Sequence, residues 1–185
     1  MSFDLSFWKT ASPKRKRIYS TIFVFILAVV VTLIGTLVPL SAQDAQTISN
    51  GLNETLSTYR GDFAGLAGFI FLNNFSICLL MFVPVVGTVL GLFILFSTGT
   101  ALGAISMVQG IPVAIEFALL AITPIFWLEF IAYSIGINES IWLFRRLMQR
   151  RWRELKWAGL FIAISAGLLA VGAVVEAWLI IAAGA

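Results

Sequence analysis

The fold of this chain is decided by a stretch of 45 residues without a charge, residues 63–107, which reads FAGLAGFIFLNNFSICLLMFVPVVGTVLGLFILFSTGTALGAISM. A single helix of this length would be far longer than a hydrocarbon core of about 30 Å requires. Two antiparallel helices fit the stretch, and residues 84–87 are suited to the turn between them. The stretch therefore predicts two consecutive membrane-spanning helices.

The composition of the whole chain indicates a membrane protein of the all-α class. Of its 185 residues, 60% are hydrophobic and only 11% are charged, and the mean hydropathy is +1.00. These values lie far outside those of soluble domains. We expect one integral membrane domain over residues 1–185, without an appended soluble domain. The single cysteine, Cys78, has no partner in the chain for a disulfide.

The hydropathy pattern predicts about five transmembrane helices, at residues 17–40, 63–84, 87–108, 113–136 and 157–182. Residues 41–62 form an external segment with helical spacing of apolar residues. Amphipathic patterns predict interfacial helices at residues 1–13 and 138–156, the latter along the cytoplasmic surface. With five spans, the N-terminus is cytoplasmic and the C-terminus is external.

The basic residues fall into two clusters, which hold eleven of the twelve lysines and arginines. By the positive-inside rule, both clusters belong on the cytoplasmic side of a plasma membrane. We expect them to set topology or bind lipid headgroups rather than nucleic acid. The candidate residues are Lys14, Arg15, Lys16, Arg17, Arg145, Arg146, Arg150, Arg151, Arg153 and Lys156.

Four polar side chains interrupt apolar stretches at membrane depth: Asn73, Asn74, Glu129 and Glu176. An ionisable group there costs about 2.5 kcal/mol or more, so such residues have a partner, a water-filled cavity or a function. Three interpretations are open: a reacting pair of carboxyl groups, a permeation path, and interhelical hydrogen bonds that hold the bundle together. If Gly136 ends its helix, Glu129 lies about 10 Å from the cytoplasmic end. Glu176 lies a comparable distance from the external end of its helix, so the two carboxyl groups are predicted in opposite halves of the membrane.

Catalysis is not expected from this sequence. The chain contains no histidine, which removes the commonest general base and metal ligand. Catalytic residues, cofactor-binding residues and metal ligands are therefore predicted to be absent.

A row of glycines marks the third predicted span. Gly87, Gly91, Gly99 and Gly103 share one face at spacings of four and eight residues. Small residues in this pattern let helix backbones approach closely. The pattern predicts helix packing, either within the chain or between copies of it.

Several motifs, taken in order, resemble the stage II sporulation protein M family. The motif residues are Ile70-Phe71-Leu72-Asn73-Asn74, then Gly87 and Gly91, Ser97-Thr98-Gly99 with Gly103, Pro124 with Glu129, and Val174-Val175-Glu176-Ala177. The resemblance covers about residue 69 to the C-terminus and implies a membrane protein of roughly five spans. Members of the family commonly have histidine and glycine after the proline, where this chain has Ile125 and Phe126. Any role that depends on that histidine is expected to be lost.

The resemblance implies a membrane partner protein, because the family's namesake resembles a scaffold for a peptidoglycan-remodelling assembly. We therefore expect a non-catalytic integral membrane subunit or scaffold. An accessory subunit of a membrane enzyme complex is one form that such a protein can take. Its expected partners are the bilayer and other integral membrane proteins, as a hetero- or homo-oligomer. The alternatives are a transporter or channel for small solutes or ions that uses the intramembrane Glu and Asn residues, and a membrane-remodelling or lipid-binding role through residues 145–156.

Overall fold

The computed structural model describes residues 12–150 and 156–183, and within these ranges it forms seven α-helices. The helices are α1 (Pro13–Gly35), α2 (Ala42–Thr58), α3 (Phe63–Met81), α4 (Val86–Gln109), α5 (Val113–Ile122), α6 (Pro124–Met148) and α7 (Lys156–Ala182). The chain is therefore an all-α protein, as its sequence predicts. The amphipathic segment predicted at residues 1–13 lies almost entirely outside the described residues.

Polar side chains and turn residues fix the ends of these helices. Ser12 caps α1 by accepting a hydrogen bond from the Arg15 amide, and Pro13 occupies the first turn, where no amide hydrogen is needed. Asp62 caps α3 by accepting a bond from the Gly65 amide at 2.9 Å. Gly110 ends α4 in the left-handed conformation, with φ of 69°. These caps satisfy backbone groups that a lipid environment could not.

Four helices are long and apolar enough to cross a membrane: α1, α3, α4 and α7. The helices α5 and α6 pass the same test only together, and they are bent by 85° at the break between them. The structure therefore has four candidate spans, or five if the bent pair is one span.

The predicted span at residues 113–136 is not one continuous helix. It is broken between Ile122 and Pro124, where Thr123 has an extended backbone with ψ of 143°. Proline disfavours helical geometry in the residue before it, which accounts for the break. With 10 residues, α5 is about 15 Å long and cannot cross a core of about 30 Å by itself. With 25 residues, α6 is about 37 Å long and has the length to cross.

The interfacial helix predicted at residues 138–156 also differs from the structure. Helix α6 continues without interruption through Gly136 to Met148, so residues 138–148 belong to it. Asn138, Glu139 and Ser140 are buried among neighbouring helices rather than exposed at a surface. Their polarity is tolerated because protein, and not lipid, surrounds them. Residues 151–155 of the predicted segment lie outside the described residues.

Helix α6 lies at the centre of the bundle and packs against α1, α3, α4 and α7. Side-chain contacts give the directions: Arg17 meets Glu139 and Phe25 meets Phe130, so α1 and α6 are antiparallel. Asn74 meets Glu129 and Cys78 meets Ala132, so α3 and α6 are parallel. Ser165 meets Ala132 and Gly172 faces Leu128, so α7 and α6 are antiparallel. The first turns of α1 and α7 and the last turn of α6 consequently lie at one end of the bundle, which we call the basic end.

Helix α1 packs on α4 with its backbone in direct contact. A Cβ atom added at Gly99 would collide with the Thr32 carbonyl, and one at Gly35 would collide with the Phe96 carbonyl. Thr100 donates a hydrogen bond to the Gly35 carbonyl at 3.2 Å across the same contact. Many large outward-facing side chains are apolar, as Phe23 (66% exposed) and Phe93 (64% exposed) illustrate, and this is consistent with contact with a lipid bilayer.

Candidate functional site

A first polar cluster joins α3, α6 and α7 and contains the four intramembrane residues singled out from the sequence. The Asn74 Nδ2 atom donates a hydrogen bond to Glu129 Oε1 at 2.6 Å, and the Asn73 Nδ2 atom donates to Asn74 Oδ1 at 3.2 Å. Glu176 lies close enough to Glu129 for their charges to interact. We call these four residues the amide–carboxyl cluster.

The relative depth of Glu129 and Glu176 corrects the prediction that they occupy opposite halves of the membrane. Glu129 lies five residues after the start of α6, about 7 Å along the axis, because α6 begins at Pro124 and extends well past Gly136. Glu176 lies six residues before the end of α7, about 9 Å from it. Since α6 and α7 are antiparallel, each carboxyl group lies in the half of its own helix that is farther from the basic end. Glu129 bonds Asn74 in the middle of α3 and lies close to Glu176, so the two carboxyl groups are neighbours rather than separated in opposite halves.

The amide–carboxyl cluster continues into the core through residues that the sequence did not single out. The Tyr133 side chain, 7% exposed, lies near Glu129, Glu176 and Cys78. Cys78 and Ser165 both donate to the Ala132 carbonyl, at 3.7 and 3.4 Å. Tyr133 follows Glu129 by four residues and so shares its helix face, which is the signal that could have identified it.

A second polar cluster, at the basic end, joins α1 to α6. Arg17 binds Glu139 with two nitrogens, Nε to Oε1 at 2.8 Å and Nη2 to Oε2 at 2.9 Å. Arg146 approaches the same carboxylate at 3.9 Å. The Glu139 side chain is 1% exposed and that of Arg17 is 17% exposed. We call Arg17, Glu139 and Arg146 the buried ion-pair network.

Hydrogen bonds around the buried ion-pair network fix the register of α6. The Asn138 Nδ2 atom donates to Thr21 Oγ1 at 2.8 Å, and the Trp142 Nε1 atom donates to Ser20 Oγ at 3.2 Å. On the other side, Ser140 Oγ donates to the Val83 carbonyl at 2.6 Å. These bonds tie α6 to α1 and to the turn between α3 and α4.

Helix α6 thus supplies polar groups to both clusters. The sequence analysis identified the amide–carboxyl cluster but not the buried ion-pair network. The amphipathic pattern of residues 138–156 predicts a helix along the membrane surface, whereas Asn138 and Glu139 are buried in the structure. Arg17 and Arg146 were expected to act as topology or headgroup residues, but in the structure both contact a buried carboxylate. The spacing of seven residues between Glu139 and Arg146, on one helix face, is the signal that could have indicated the pairing.

A pocket of about 890 Å³ lies beside the buried ion-pair network, between α1, α6 and α7. Its lining combines basic, aromatic and aliphatic side chains: Lys14, Lys16, Arg17, Ile18, Thr21, Ile22, Ile135, Trp142, Arg145, Arg146, Gln149, Trp157, Leu160 and Phe161. The Arg17 guanidinium stands 4.6 Å from the centroid of the Phe161 ring and 5.6 Å from that of Trp142. We call this the basic pocket.

The remaining candidate residues are placed as follows. Gly99 and Gly103 face the backbone of α1, Gly91 faces the Ile137 side chain, and Gly87 packs on the backbone of Met81. Arg15, Arg150 and Lys156 are exposed at the basic end, whereas Arg151 and Arg153 lie outside the described residues. Among residues 12–150 and 156–183, no group of three or more His, Cys, Asp or Glu side chains could hold a metal ion.

Comparison with known proteins identifies the family of the chain. A model of the stage II sporulation protein M family matches residues 21–179, which include both polar clusters except for Arg17. The chain belongs to the stage II sporulation protein M family. Searches of curated proteins and of solved structures found no significant match.

Within this stage II sporulation protein M family chain, the motif residues converge in space although they are far apart in sequence. Asn74 and Glu129 are 55 residues apart and share a hydrogen bond. The amide–carboxyl cluster therefore ties α3 to α6, with Glu176 of α7 close to Glu129. The buried ion-pair network, in contrast, uses fixed charges that hold α1 against α6.

Proposed function

We propose that this protein is a non-catalytic integral membrane subunit or scaffold that binds another membrane protein through the outer face of α3. The observation that carries the proposal is the exposure of Asn73 near the middle of this apolar helix. A carboxamide that faces lipid lacks water to satisfy it, and each unsatisfied polar group in hydrocarbon costs several kcal/mol. A partner helix with a polar side chain at the same depth would supply the missing hydrogen bonds.

The surface around Asn73 has the shape that a helix needs for docking. A shallow groove of about 620 Å³ runs along α3, with Ala64, Gly65, Gly68, Leu72 and Asn73 among its lining residues. A Cβ atom added at Gly68 would meet nothing within 4 Å, so the groove is open at this position. Interfaces between membrane helices favour small residues combined with a hydrogen-bonding group, and the groove has both.

The hydrogen-bonding pattern of Asn73 leaves capacity for a partner. A carboxamide has two N–H donors and one carbonyl acceptor, and Asn74 accepts from one of the donors. The occupant that fits is an apolar transmembrane helix of another protein that carries an amide, hydroxyl or carboxyl group near its middle. A second copy of this chain, paired through Asn73, is the competing occupant.

Substitutions in the groove test this proposal without disturbing the fold. Gly68→Leu fills the groove, and Asn73→Leu removes the polar group. Gly167→Leu on α7 is the matched control, since a Cβ atom at Gly167 also meets nothing within 4 Å. After cross-linking in native membranes and extraction in mild detergent, wild type and Gly167→Leu should co-purify with the same second protein, and Gly68→Leu and Asn73→Leu should lose it.

Two results would contradict this proposal. One is a wild-type chain that is always extracted alone, and the other is a Gly68→Leu chain of native helicity that retains the same partner. A complex that contains only copies of this chain, by sedimentation, would assign the groove to self-association instead.

The proposal that the protein is not an enzyme rests on the side chains available. The chain has no histidine, and Glu129 accepts a hydrogen bond from Asn74 that holds it between helices. These features suit interhelical contacts better than proton transfer to a substrate.

A transporter or channel is the second candidate, and the break between α5 and α6 favours it. Transporters form sites from discontinuous helices near intramembrane polar groups, and Glu129 lies in the second turn after this break. Flux of candidate ions through proteoliposomes should then fall severalfold in Glu129→Gln relative to Glu116→Gln on α5. Equal, negligible flux for both variants and for wild type would exclude this candidate for the ions tested.

We also propose that the protein lies in the plasma membrane with its basic end in the cytoplasm. The positive-inside rule supports this orientation, because Lys14, Arg15, Arg145 and Arg146 meet at the same end of the bundle. Labelling of a cysteine introduced at Ser12 should occur only after the membrane is permeabilised, whereas one at Ala183 should be labelled in intact cells. The reverse pattern would invert the proposed orientation.

A further inference from the structure

We infer that the basic pocket binds the phosphate headgroup of an anionic phospholipid. The inference does not depend on the partner proposed for α3, because the pocket lies between α1, α6 and α7. Its charge is the first argument. Lys14, Lys16 and Arg145 line the pocket together with the two arginines of the buried ion-pair network, whose carboxylate is Glu139.

The buried ion-pair network leaves the pocket strongly positive. Five basic side chains line the pocket and one carboxylate pairs with two of them, so the described residues contribute a clear excess of positive charge. Lys14 and Arg145 are exposed and Lys16 is half-buried, which leaves their charged groups within reach of an anion. Basic pockets between transmembrane helices bind lipid headgroups by this mechanism.

The walls of the pocket favour an amphiphile over a soluble anion. Beside the basic side chains stand Ile18, Ile22 and Leu160, which are 58%, 52% and 48% exposed on the outside of the bundle. Trp157, 47% exposed, lines the same pocket, and tryptophan favours the level of lipid headgroups. An acyl chain can therefore lie along the apolar wall while the phosphate is held by the basic side chains.

Part of the pocket lining is held in place by contacts within the protein. Arg17 is held by its two contacts with Glu139 and by the rings of Phe161 and Trp142. The Arg145 guanidinium stands 5.9 Å from the centroid of the Trp142 ring. Trp142 is itself held by its bond to Ser20. Such preorganisation lowers the entropic cost of binding and distinguishes a built site from scattered surface charge.

Two triple variants with the same change in charge test the inference. Lys14→Gln/Lys16→Gln/Arg145→Gln removes cations that line the pocket. Arg15→Gln/Arg150→Gln/Lys156→Gln removes exposed cations at the basic end that do not line it. Arg17 and Arg146 stay unchanged, since their substitution would disturb the contacts with Glu139. Helicity and the unfolding temperature in neutral detergent confirm that each purified variant is folded.

The binding experiment uses short-chain phosphatidylglycerol, short-chain phosphatidylcholine and inorganic phosphate, each added to protein purified in neutral detergent. For wild type, phosphatidylglycerol should bind at least 10-fold more tightly than phosphatidylcholine, and inorganic phosphate at the same concentration should not compete. The pocket variant should lose at least 10-fold in affinity for phosphatidylglycerol, and the control variant less than 3-fold.

Three results would overturn the inference. Equal losses in the two triple variants would mean that binding follows overall charge rather than the pocket. Equal affinity for the two lipids would mean that the site does not distinguish an anionic headgroup from a zwitterionic one. Full competition by inorganic phosphate would assign the pocket to a soluble phosphate compound rather than to a lipid.

Discussion

Replacement of Glu139 by methionine should destabilise the protein more than any other single change of a carboxylate. The side chain is 1% exposed, accepts one hydrogen bond from Arg17 Nη2 at 2.9 Å and makes a second ion-pair contact with Arg17 Nε at 2.8 Å, with Arg146 at 3.9 Å. Methionine has a similar length and removes the negative charge, so both guanidinium groups would lose their contact with this carboxylate. We expect a loss of stability of about 3–5 kcal/mol, the usual cost of removing one partner of a buried pair.

Equilibrium unfolding in mixed micelles, with SDS as the denaturant and far-UV circular dichroism as the signal, measures this loss. The exposed carboxylate Glu54 on α2 gives the matched control, and Glu54→Met should change stability by less than about 0.5 kcal/mol. The double variant Arg17→Met/Glu139→Met should be more stable than Glu139→Met alone, because it removes the positive charge of Arg17 together with its partner carboxylate.

The refuting result is a small loss. If Glu139→Met costs less than about 1 kcal/mol, or if the effects of the Arg17 and Glu139 substitutions simply add, the pair is not coupled in the folded protein. The description of the buried ion-pair network as the tie between α1 and α6 would then be wrong.

Two further predictions concern helix packing and the amide–carboxyl cluster, and the same unfolding titration measures both. Gly99→Ala should lower the free energy of unfolding by about 1–3 kcal/mol, because its Cβ meets the Thr32 carbonyl. Gly167→Ala, whose Cβ lies in open space, should be neutral or stabilising by up to about 1 kcal/mol. Equal effects of the two substitutions would contradict the close contact of α1 and α4. Glu129→Leu should cost about 1 kcal/mol through loss of the acceptor for Asn74, and Glu129→Gln should cost less because it keeps that acceptor. Equal losses for Gln and Leu would mean that this hydrogen bond contributes little.

The sequence predicted the helical class, the family and the four residues of the amide–carboxyl cluster. It succeeded where a polar residue interrupts a long apolar run, as Asn73 and Asn74 do in α3. It failed for the continuous helix predicted at residues 113–136, because the length of an apolar stretch does not reveal where the chain bends. Thr123 and Pro124 were the local signal for the break, since a residue before proline avoids helical geometry.

The failure around α6 has a physical reason, because hydropathy reports contact with lipid rather than passage through the membrane. Helix α5 is apolar and none of its residues is buried, so its composition suits a lipid-facing surface. Helix α6 carries Asn138, Glu139 and Arg146 but is enclosed by four other helices, which supply the hydrogen bonds and the counterion that lipid could not. A helix with polar side chains is stable at the centre of the bundle only if neighbouring helices supply a hydrogen-bond partner or counterion for each of them. Because α6 depends on Arg17, Thr21 and Ser20, the fold requires α1. Arg17, beside the basic pocket, therefore has a structural role in addition to any role in setting the membrane topology.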